Sequence, residues 1–294
     1  LRSVADSPAQ QAEVLLDELV FPDQPLGWDV AGFESTVQTI SRAEMLGYLK
    51  RQYAPNNVVV SVAGSVGHSE VVDLLQPLLG DWLPDQPATW FPAADGQDAA
   101  RCVLKSRRTE QAHLSLAMRG FSSVHPDRYA LDLLSVVLGE GMSSRLFIEL
   151  RERRSLCYDV HTYTSKYLDT GTFNVYAGVD PKKAVDATEA ILAELARARD
   201  GIPEVELAKA KELVKGRTLL RMEDTRNVSG WIGTQEMLFG KVRSADEVVA
   251  EVEAVTPAQL DRVAREVIRG DRLSLAIVGP YRSERRFASL LRLQ

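Results

Sequence analysis

The sequence of 294 residues has few of the side chains from which disulfide frameworks and metal sites are built. Its two cysteines, Cys102 and Cys157, form no disulfide framework and are typical of a reducing compartment, so we expect a cytoplasmic location. Four histidines leave few ways to assemble a metal centre. No stretch approaches the roughly 20 apolar residues of a membrane span, and no signal-peptide pattern opens the sequence. We therefore expect no membrane partner.

Basic residues do not outnumber acidic residues. The sequence has 35 Lys and Arg residues against 41 Asp and Glu residues, which gives a formal net charge of -6. Without a basic surplus to contact phosphates, nucleic acid is not an expected partner. Hydrophobic residues make up 45% and charged residues 26% of the chain, a balance typical of globular proteins that bury a sizeable core.

Hydrophobic periodicity and turn residues predict a chain that contains both helices and strands. Ser7 before Pro8 is a typical helix start, and Ser41 with Glu44 three residues later forms the pattern of a capping box. The apolar run over residues 58–63 predicts a strand. Further strands are predicted over residues 102–105, 112–118, 158–165, 171–178 and 273–278, with helices between them that include residues 126–138 and 143–153.

An internal repeat organises the chain. Residues 41–66 match residues 256–281 as capped helix, break, apolar strand and glycine, at an offset of 215 positions. Upstream, Asp6 and the Leu-Val-Phe that ends at Phe21 match Asp224 and the Met-Leu-Phe that ends at Phe239. Any capped helix followed by a strand resembles another, but two segments in the same order favour a duplication.

The duplication predicts a division into domains. Residues 1–82 form the rear part of a first domain, residues 83–100 a linker with three prolines, and residues 101–281 a complete second domain. Residues 282–294 are expected to form a C-terminal tail helix. By this count the first copy lacks about 115–120 residues at its front, and a chain that begins with leucine instead of methionine fits that expectation.

Several motifs carry a family resemblance. The segments EQAHLSLAMRGF, LGEGMSSRLFIELRERRSLCYDV and GTFNVYAGVD resemble the second domain of the pitrilysin and insulysin family of zinc metallopeptidases (M16), in particular its processing-peptidase-like branch (M16B). Residues 4–64 resemble the back half of that family's first domain. The resemblance implies an α+β protein with tandem domains of the LuxS/MPP-like metallohydrolase fold. Each domain is then a mostly antiparallel sheet with helices on one face, and the first domain is truncated.

The zinc motif of that family is missing from the sequence. In the family, an H-x-x-E-H helix and a glutamate about 75 residues later bind zinc and activate a water molecule. None of His68, His113, His125 and His161 begins such a motif. We therefore expect no metal ligand and no catalytic residue in this chain, and the resemblance implies that zinc is bound in the parent protein by residues upstream of Leu1.

The resemblance also implies two substrate-binding residues. In the family, an arginine and a tyrosine seven positions apart face the zinc site across a chamber and hold the substrate backbone. The segment LRERRSLCY places Arg151 and Tyr158 on these positions. A guanidinium and a phenol are suitable donors to peptide carbonyls and to an oxyanion. Ser155 stands where relatives usually have glycine.

Other candidate sites have simpler interpretations. The Gly-Glu-Gly of residues 139–141 lacks the Gly-Lys-Ser/Thr of a phosphate loop and is typical of a turn between helices. Asp159 and His161 share a strand face, but neither Ser143 nor Ser165 lies in a nucleophile motif, so a hydrolytic triad is not expected.

Two functions fit these expectations. In the first, the parent is a zinc-dependent endopeptidase that cleaves peptides in a chamber between two domains, and this chain supplies the substrate-binding half and is inactive alone. In the second, the chain belongs to a non-catalytic M16-like partner subunit that forms a chamber wall for an active subunit. The expected partners are a peptide substrate and another M16 subunit, in a homodimer or a heterodimer.

Overall fold

The computed structural model describes residues 1–293, which fall into two compact units. Both units are assembled from separate stretches of the chain. The sheet unit contains Leu1–Phe33, Pro92–Val214 and the chain from Glu251 onward, and the helical unit contains Glu34–Phe91 and Lys215–Ala250. The chain thus passes between the units four times. The domain boundaries inferred from the repeat concern sequence copies, and they stay a prediction.

The structure is a mixture of helices and strands, numbered here along the chain. The α-helices are α1 (Arg2–Asp6), α2 (Pro8–Val20), α3 (Glu34–Thr39), α4 (Arg42–Gln52), α5 (His68–Leu79), α6 (Arg128–Gly139), α7 (Ala184–Asp200), α8 (Glu204–Arg221), α9 (Thr225–Phe239), α10 (Ala245–Glu253), α11 (Pro257–Val267) and α12 (Arg285–Ala288). The strands are β1 (Arg101–Ser106), β2 (Ala112–Gly120), β3 (Cys157–Lys166), β4 (Gly171–Val179) and β5 (Ser274–Gly279). None of the helices described is long and apolar enough to cross a membrane.

The five strands form one sheet in the order β1-β5-β2-β4-β3. β1 and β5 are parallel, and the other three pairs are antiparallel. In the centre, Leu116 of β2 lies opposite Val175 of β4 and Leu275 of β5. The α+β class and the mostly antiparallel sheet predicted from the sequence are confirmed.

One face of the sheet carries the main hydrophobic core. Because side chains alternate along a strand, Leu114, Leu116 and Met118 of β2 point to the same face, and each is almost fully buried. Helices α6, α7 and α11 cover this face with their own buried apolar residues. This layer is the set of helices that the sequence predicts.

A single helix, α2, covers part of the opposite face. Its N-cap is Ser7, whose hydroxyl accepts from the backbone N–H of Gln10, as the Ser-Pro start predicts. At its other end Leu16, Val20 and Phe21 are buried in a cluster with two small sheet residues, Ala117 of β2 and Ala276 of β5. Alanine at both sheet positions lets the helix approach closely. Burial of each large side chain contributes about 1.5–3 kcal/mol.

The helical unit confirms one sequence prediction and corrects another. The capping box is formed: Ser41 Oγ accepts from the Glu44 N–H at 3.2 Å, and Glu44 Oε2 accepts from the Ser41 N–H at 2.7 Å. The predicted strand over residues 58–63 is wrong, because among the described residues no neighbouring strand pairs with it. Its anchor is instead α9, where Ser61 Oγ donates to the Ser229 carbonyl at 2.8 Å and Ser229 Oγ donates to the Ser61 carbonyl at 2.7 Å.

The two helices matched by the sequence repeat have related positions. α2 packs on β2 and β5. α9 is hydrogen-bonded to residue 61, in the segment that the repeat matches with β5. Each helix thus contacts either β5 or the segment matched with it, an arrangement that the sequence repeat alone does not predict.

The linker and tail segments are partly packed on the sheet unit. Gln97, within the predicted linker, is buried, and its Nε2 donates to the Leu273 carbonyl at 3.1 Å. The predicted tail helix is reduced to the single turn of α12. Phe287 and Leu291 fix this segment because both side chains join the main core.

Candidate functional site

Arg151 and Tyr158 lie together at one end of the sheet unit. Arg151 belongs to a π-helix over Phe147–Arg153, and Tyr158 is the second residue of β3. Arg151 Nη1 donates to the Tyr158 backbone carbonyl at 2.9 Å. The structure thus brings together the two residues that the family resemblance selects.

The helix that carries Arg151 has a widened turn. The sequence predicts an α-helix over residues 143–153, but Phe147–Arg153 is a π-helix, and the Arg154 N–H donates to the Glu149 carbonyl five residues back. The extra residue in the turn lets Leu150 stay buried while the Leu156 N–H bonds to its carbonyl at 2.7 Å. Such widened turns are frequent at functional sites.

Ser155 turns the chain from the helix to the strand in an unusual conformation. Its φ of 49° lies in the left-handed region, which favours glycine and is costly for residues with a Cβ. This explains why a glycine suits the position in the resembling family. Lys183 Nζ donates to the Ser155 carbonyl at 2.9 Å and holds the turn from the other side.

Tyr158 is the extra residue of a β-bulge. Cys157 lies opposite Val179 and Asp159 lies opposite Gly178, so Tyr158 has no partner on β4. A bulge redirects the side chains around it, and Tyr158 is 60% exposed. The bulge therefore releases the tyrosine from the ladder, leaves its ring exposed and presents its carbonyl to Arg151.

Two neighbours complete the surroundings of the pair. The Phe147 ring lies under the guanidinium, with 5.1 Å between Arg151 Cζ and the ring centroid. Cys157 is buried, and burial raises the pKa of its thiol to about 11. A thiol at neutral pH is a poor nucleophile, so the packing role of Cys157 is the appropriate interpretation.

A row of polar side chains occupies the sheet face near α2. His113 Nδ1 and Tyr176 Oη are 2.7 Å apart, and His161 Nδ1 lies 3.3 Å from Asp159 Oδ2. The His161 and Tyr176 rings are 5.1 Å apart between centroids. Asp159 and His161 share a face as predicted, but in the described hydrogen bonds no serine hydroxyl joins them.

Sequence reasoning missed two carboxylates, Glu13 and Asp17, that α2 brings to this face. Partial burial, with a smaller contribution from the charge of Glu13, raises the pKa of Asp17 to about 6. Burial likewise raises the pKa of Glu13, against the opposing charge of His161. Their spacing of four on one helix was the available signal, but only the fold reveals that this side of α2 faces the strands.

The residues present do not fit a zinc site. Across residues 1–293, no group of three or more His, Cys, Asp and Glu side chains could hold a metal ion. His113 is bonded to Tyr176, and His125 stacks on Phe121 with 4.0 Å between ring centroids. The described residues therefore provide no donor set suited to zinc.

Comparison with known proteins identifies the family. Residues 39–214 match the family described as "Peptidase M16 inactive domain". The chain belongs to the peptidase M16 family. The matched region of this M16 chain includes α4, α5, the whole arginine–tyrosine site and the first four strands.

Curated M16 relatives carry the name zinc protease. The chain is 35% identical over 286 residues to an uncharacterized zinc protease of Streptomyces coelicolor, covering 95% of this chain and 62% of the relative. It is 33% identical over 295 residues to an uncharacterized zinc protease of Mycobacterium tuberculosis, and the match covers 98% of this chain and 66% of the relative. The identity to the uncharacterized zinc protease YmxG of Bacillus subtilis is 32%, and the match covers 95% of this chain and 68% of the relative. The M16 chain thus spans less than two thirds of the first two relatives.

Solved structures show the same fold. A protease from Helicobacter pylori superposes with a TM-score of 0.85 at 22% identity, covering 94% of this chain and 68% of that one. A peptidase M16 inactive domain from Pseudomonas fluorescens superposes with a TM-score of 0.85 at 20% identity, and the match covers 96% of this chain and 68% of that one. The fold of the M16 chain, including its interleaved units, is therefore that of M16 peptidases.

Proposed function

We propose that the chain is the substrate-binding half of an M16 zinc metalloendopeptidase, in which Arg151 and Tyr158 hold the main chain of a peptide. The observation that carries the proposal is the arrangement of this pair. A π-helix, a left-handed serine and a β-bulge occur within twelve residues, Phe147–Tyr158, and together they set one arginine beside one tyrosine. Such departures from regular backbone concentrate at functional sites.

The pair has further hydrogen-bond donors available for a peptide. Arg151 uses one N–H on the Tyr158 carbonyl, and a guanidinium has five. The exposed phenol of Tyr158 is a further donor. Because its own bond and the Phe147 ring already restrain the guanidinium, little side-chain freedom is lost when a substrate carbonyl binds.

The remaining parts of the proposal concern the protein beyond this chain. The relatives named zinc proteases are longer, and residues 1–293 hold no fitting metal cluster, so we place the zinc ligands in a part of the protein outside this sequence. Peptides would enter a chamber between two domains, and a second M16 subunit would form a homodimer or heterodimer. Membership of the processing-peptidase-like branch is part of the same proposal.

The test uses the complete protein and an unstructured, fluorescence-quenched peptide. We expect cleavage that a zinc chelator abolishes and that Arg151→Ala lowers by at least about tenfold in kcat/KM, because a bond to the substrate main chain is lost. The matched control is Arg153→Ala, since Arg153 is an exposed arginine on the same π-helix and pairs with Glu149 at 3.4 Å. Circular dichroism of each variant separates lost binding from lost folding.

The same assay decides against the non-catalytic alternative. A complete protein that cleaves no peptide, but that restores activity to another M16 subunit, would support the partner role instead. Cleavage that survives zinc removal would reject the metallopeptidase proposal, and equal losses in the Arg151 and Arg153 variants would reject the assigned residues.

A further inference from the structure

A small pocket adjoins the arginine–tyrosine pair. It has a volume of about 250 Å³ and lies between the end of the π-helix, the start of β3 and the turn before α7. Arg151 and Lys183 line it together with Ser155, Leu156 and Asp180. The volume is sufficient for a carboxylate side chain or the end of a peptide.

Two fixed cations border the pocket. Arg151 is held by the Tyr158 carbonyl and Lys183 by the Ser155 carbonyl, each at 2.9 Å. Each bond uses one donor, while an ammonium has three and a guanidinium five. Both side chains are therefore restrained by one hydrogen bond each and keep donors for a ligand.

Asp180, the acidic residue of the pocket, already accepts one hydrogen bond. Asp180 Oδ1 accepts from the Lys182 N–H at 2.9 Å, which closes the turn before α7. With one carboxylate against two cations, the lining keeps a net positive charge. Arg151 also acts on the neighbouring thiol of Cys157. Burial has the largest effect and raises the pKa of this thiol, and Arg151 lowers that pKa more than Asp159 raises it.

We propose that this pocket binds a carboxylate of the peptide ligand, so that the protein prefers peptides with an acidic side chain or a free C-terminus close to the segment held by Arg151. The inference rests on the proposed function only in taking the ligand to be a peptide. Lys183 would bind the carboxylate, and it would add specificity to the main-chain contact of the pair.

The test measures affinity by fluorescence anisotropy with the complete protein. Three labelled octapeptides share one neutral sequence: one has a C-terminal amide, one has an amide and a single glutamate, and one has a free C-terminus. We expect at least one carboxylate peptide to bind about tenfold more tightly than the neutral amide, and the advantage to fall with rising salt. The arm that gains affinity identifies the source of the carboxylate.

Variants of the two neighbouring lysines provide the matched comparison. Lys183→Gln is expected to remove the advantage, Lys183→Arg to retain most of it, and Lys182→Gln to leave it unchanged, because Lys182 does not line the pocket. Melting temperatures establish that each variant is folded. Because Lys183 also holds Ser155, the arginine variant shows whether charge or turn geometry is responsible.

Several outcomes would overturn the inference. One is equal affinity for all three peptides in the wild type, and another is equal loss in the two glutamine variants. If the neutral peptide binds and Arg151→Ala weakens it without any carboxylate preference, the proposed function stands and the carboxylate pocket is rejected. If no peptide binds, both are rejected.

Discussion

Arg151 donates a hydrogen bond from Nη1 to the main-chain carbonyl of Tyr158, 2.9 Å away, across the turn that contains Ser155. The side chain of the first residue is thus positioned by the backbone of the second. Arg151→Lys should keep the charge but lose the planar fork and the stacking on Phe147. We expect peptide affinity to fall about three- to tenfold with little change in melting temperature, measured by anisotropy and calorimetry. Wild-type affinity in this variant would show that charge alone is sufficient.

Ser155→Gly should stabilise the protein. Glycine adopts the left-handed conformation without a Cβ penalty, and this gain outweighs the larger freedom of glycine in the unfolded chain. We expect an increase of about 0.5–1 kcal/mol in the free energy of unfolding. Urea denaturation measures it. The control is Ser143→Gly, where φ is not positive and glycine should be neutral or destabilising.

Asp17→Asn should change how stability depends on pH. Because the pKa of Asp17 is raised from 3.8 to about 6, the folded protein binds this proton more tightly than the unfolded chain, and stability falls as pH rises between these values. Asparagine removes that loss of stability. The free energy of unfolding of the variant should therefore exceed that of the wild type above pH 6 but not below pH 4. Since the residue is accessible to solvent, the gain should stay below about 1 kcal/mol. Glu18→Gln, on the same helix, is the control, and identical profiles for wild type and Asp17→Asn would contradict the assignment.

Ala117→Leu should separate α2 from the sheet. Ala117 is fully buried in the cluster of Leu16, Val20 and Phe21, so three added carbons have no space. We expect a loss of about 1–3 kcal/mol in the free energy of unfolding. Ala258→Leu, at an exposed position of α11, adds the same side chain without this cost. Hydrogen exchange in α2 should rise in the first variant only; unchanged protection would place the helix elsewhere.

Both cysteines should resist thiol reagents in the folded protein. Burial raises the pKa of Cys157 to about 11 and that of Cys102 to about 12, and at Cys102 the charge of Glu284 adds to the effect. The thiolate, which is the reactive form, is therefore scarce at pH 8. We expect slow labelling by a disulfide reagent that becomes rapid in urea. Fast labelling of the Cys102→Ser variant while folded would show that Cys157 is exposed and reactive.

Local sequence patterns predicted most of the sheet unit because its strands and caps depend on nearby residues. Apolar runs identified the five strands, and Ser7 before Pro8 identified the start of α2. The pairing of β5 between β1 and β2 and the packing of α2 on Ala276 join residues far apart in sequence. Periodicity contains no signal for such contacts.

The sequence selects the two residues of the proposed site but not their geometry. The family motif selects Arg151 and Tyr158, and a serine in place of glycine marks the special turn. The π-helix and the bulge arise because buried Leu150 and Cys157 must both reach the core across a short connection. That constraint comes from packing, which single-residue preferences do not include. Lys183 was missed for the same reason, since it reaches Ser155 from another element.

The packing of α2 on β5 also sets an order of events during synthesis. Leu16, Val20 and Phe21 precede Ala117 of β2 by about 100 residues and Ala276 of β5 by about 250 residues. The complete cluster therefore forms only after β5 has been made, and contacts of such separation form slowly. A nascent chain with an uncovered helix of this kind is prone to aggregation.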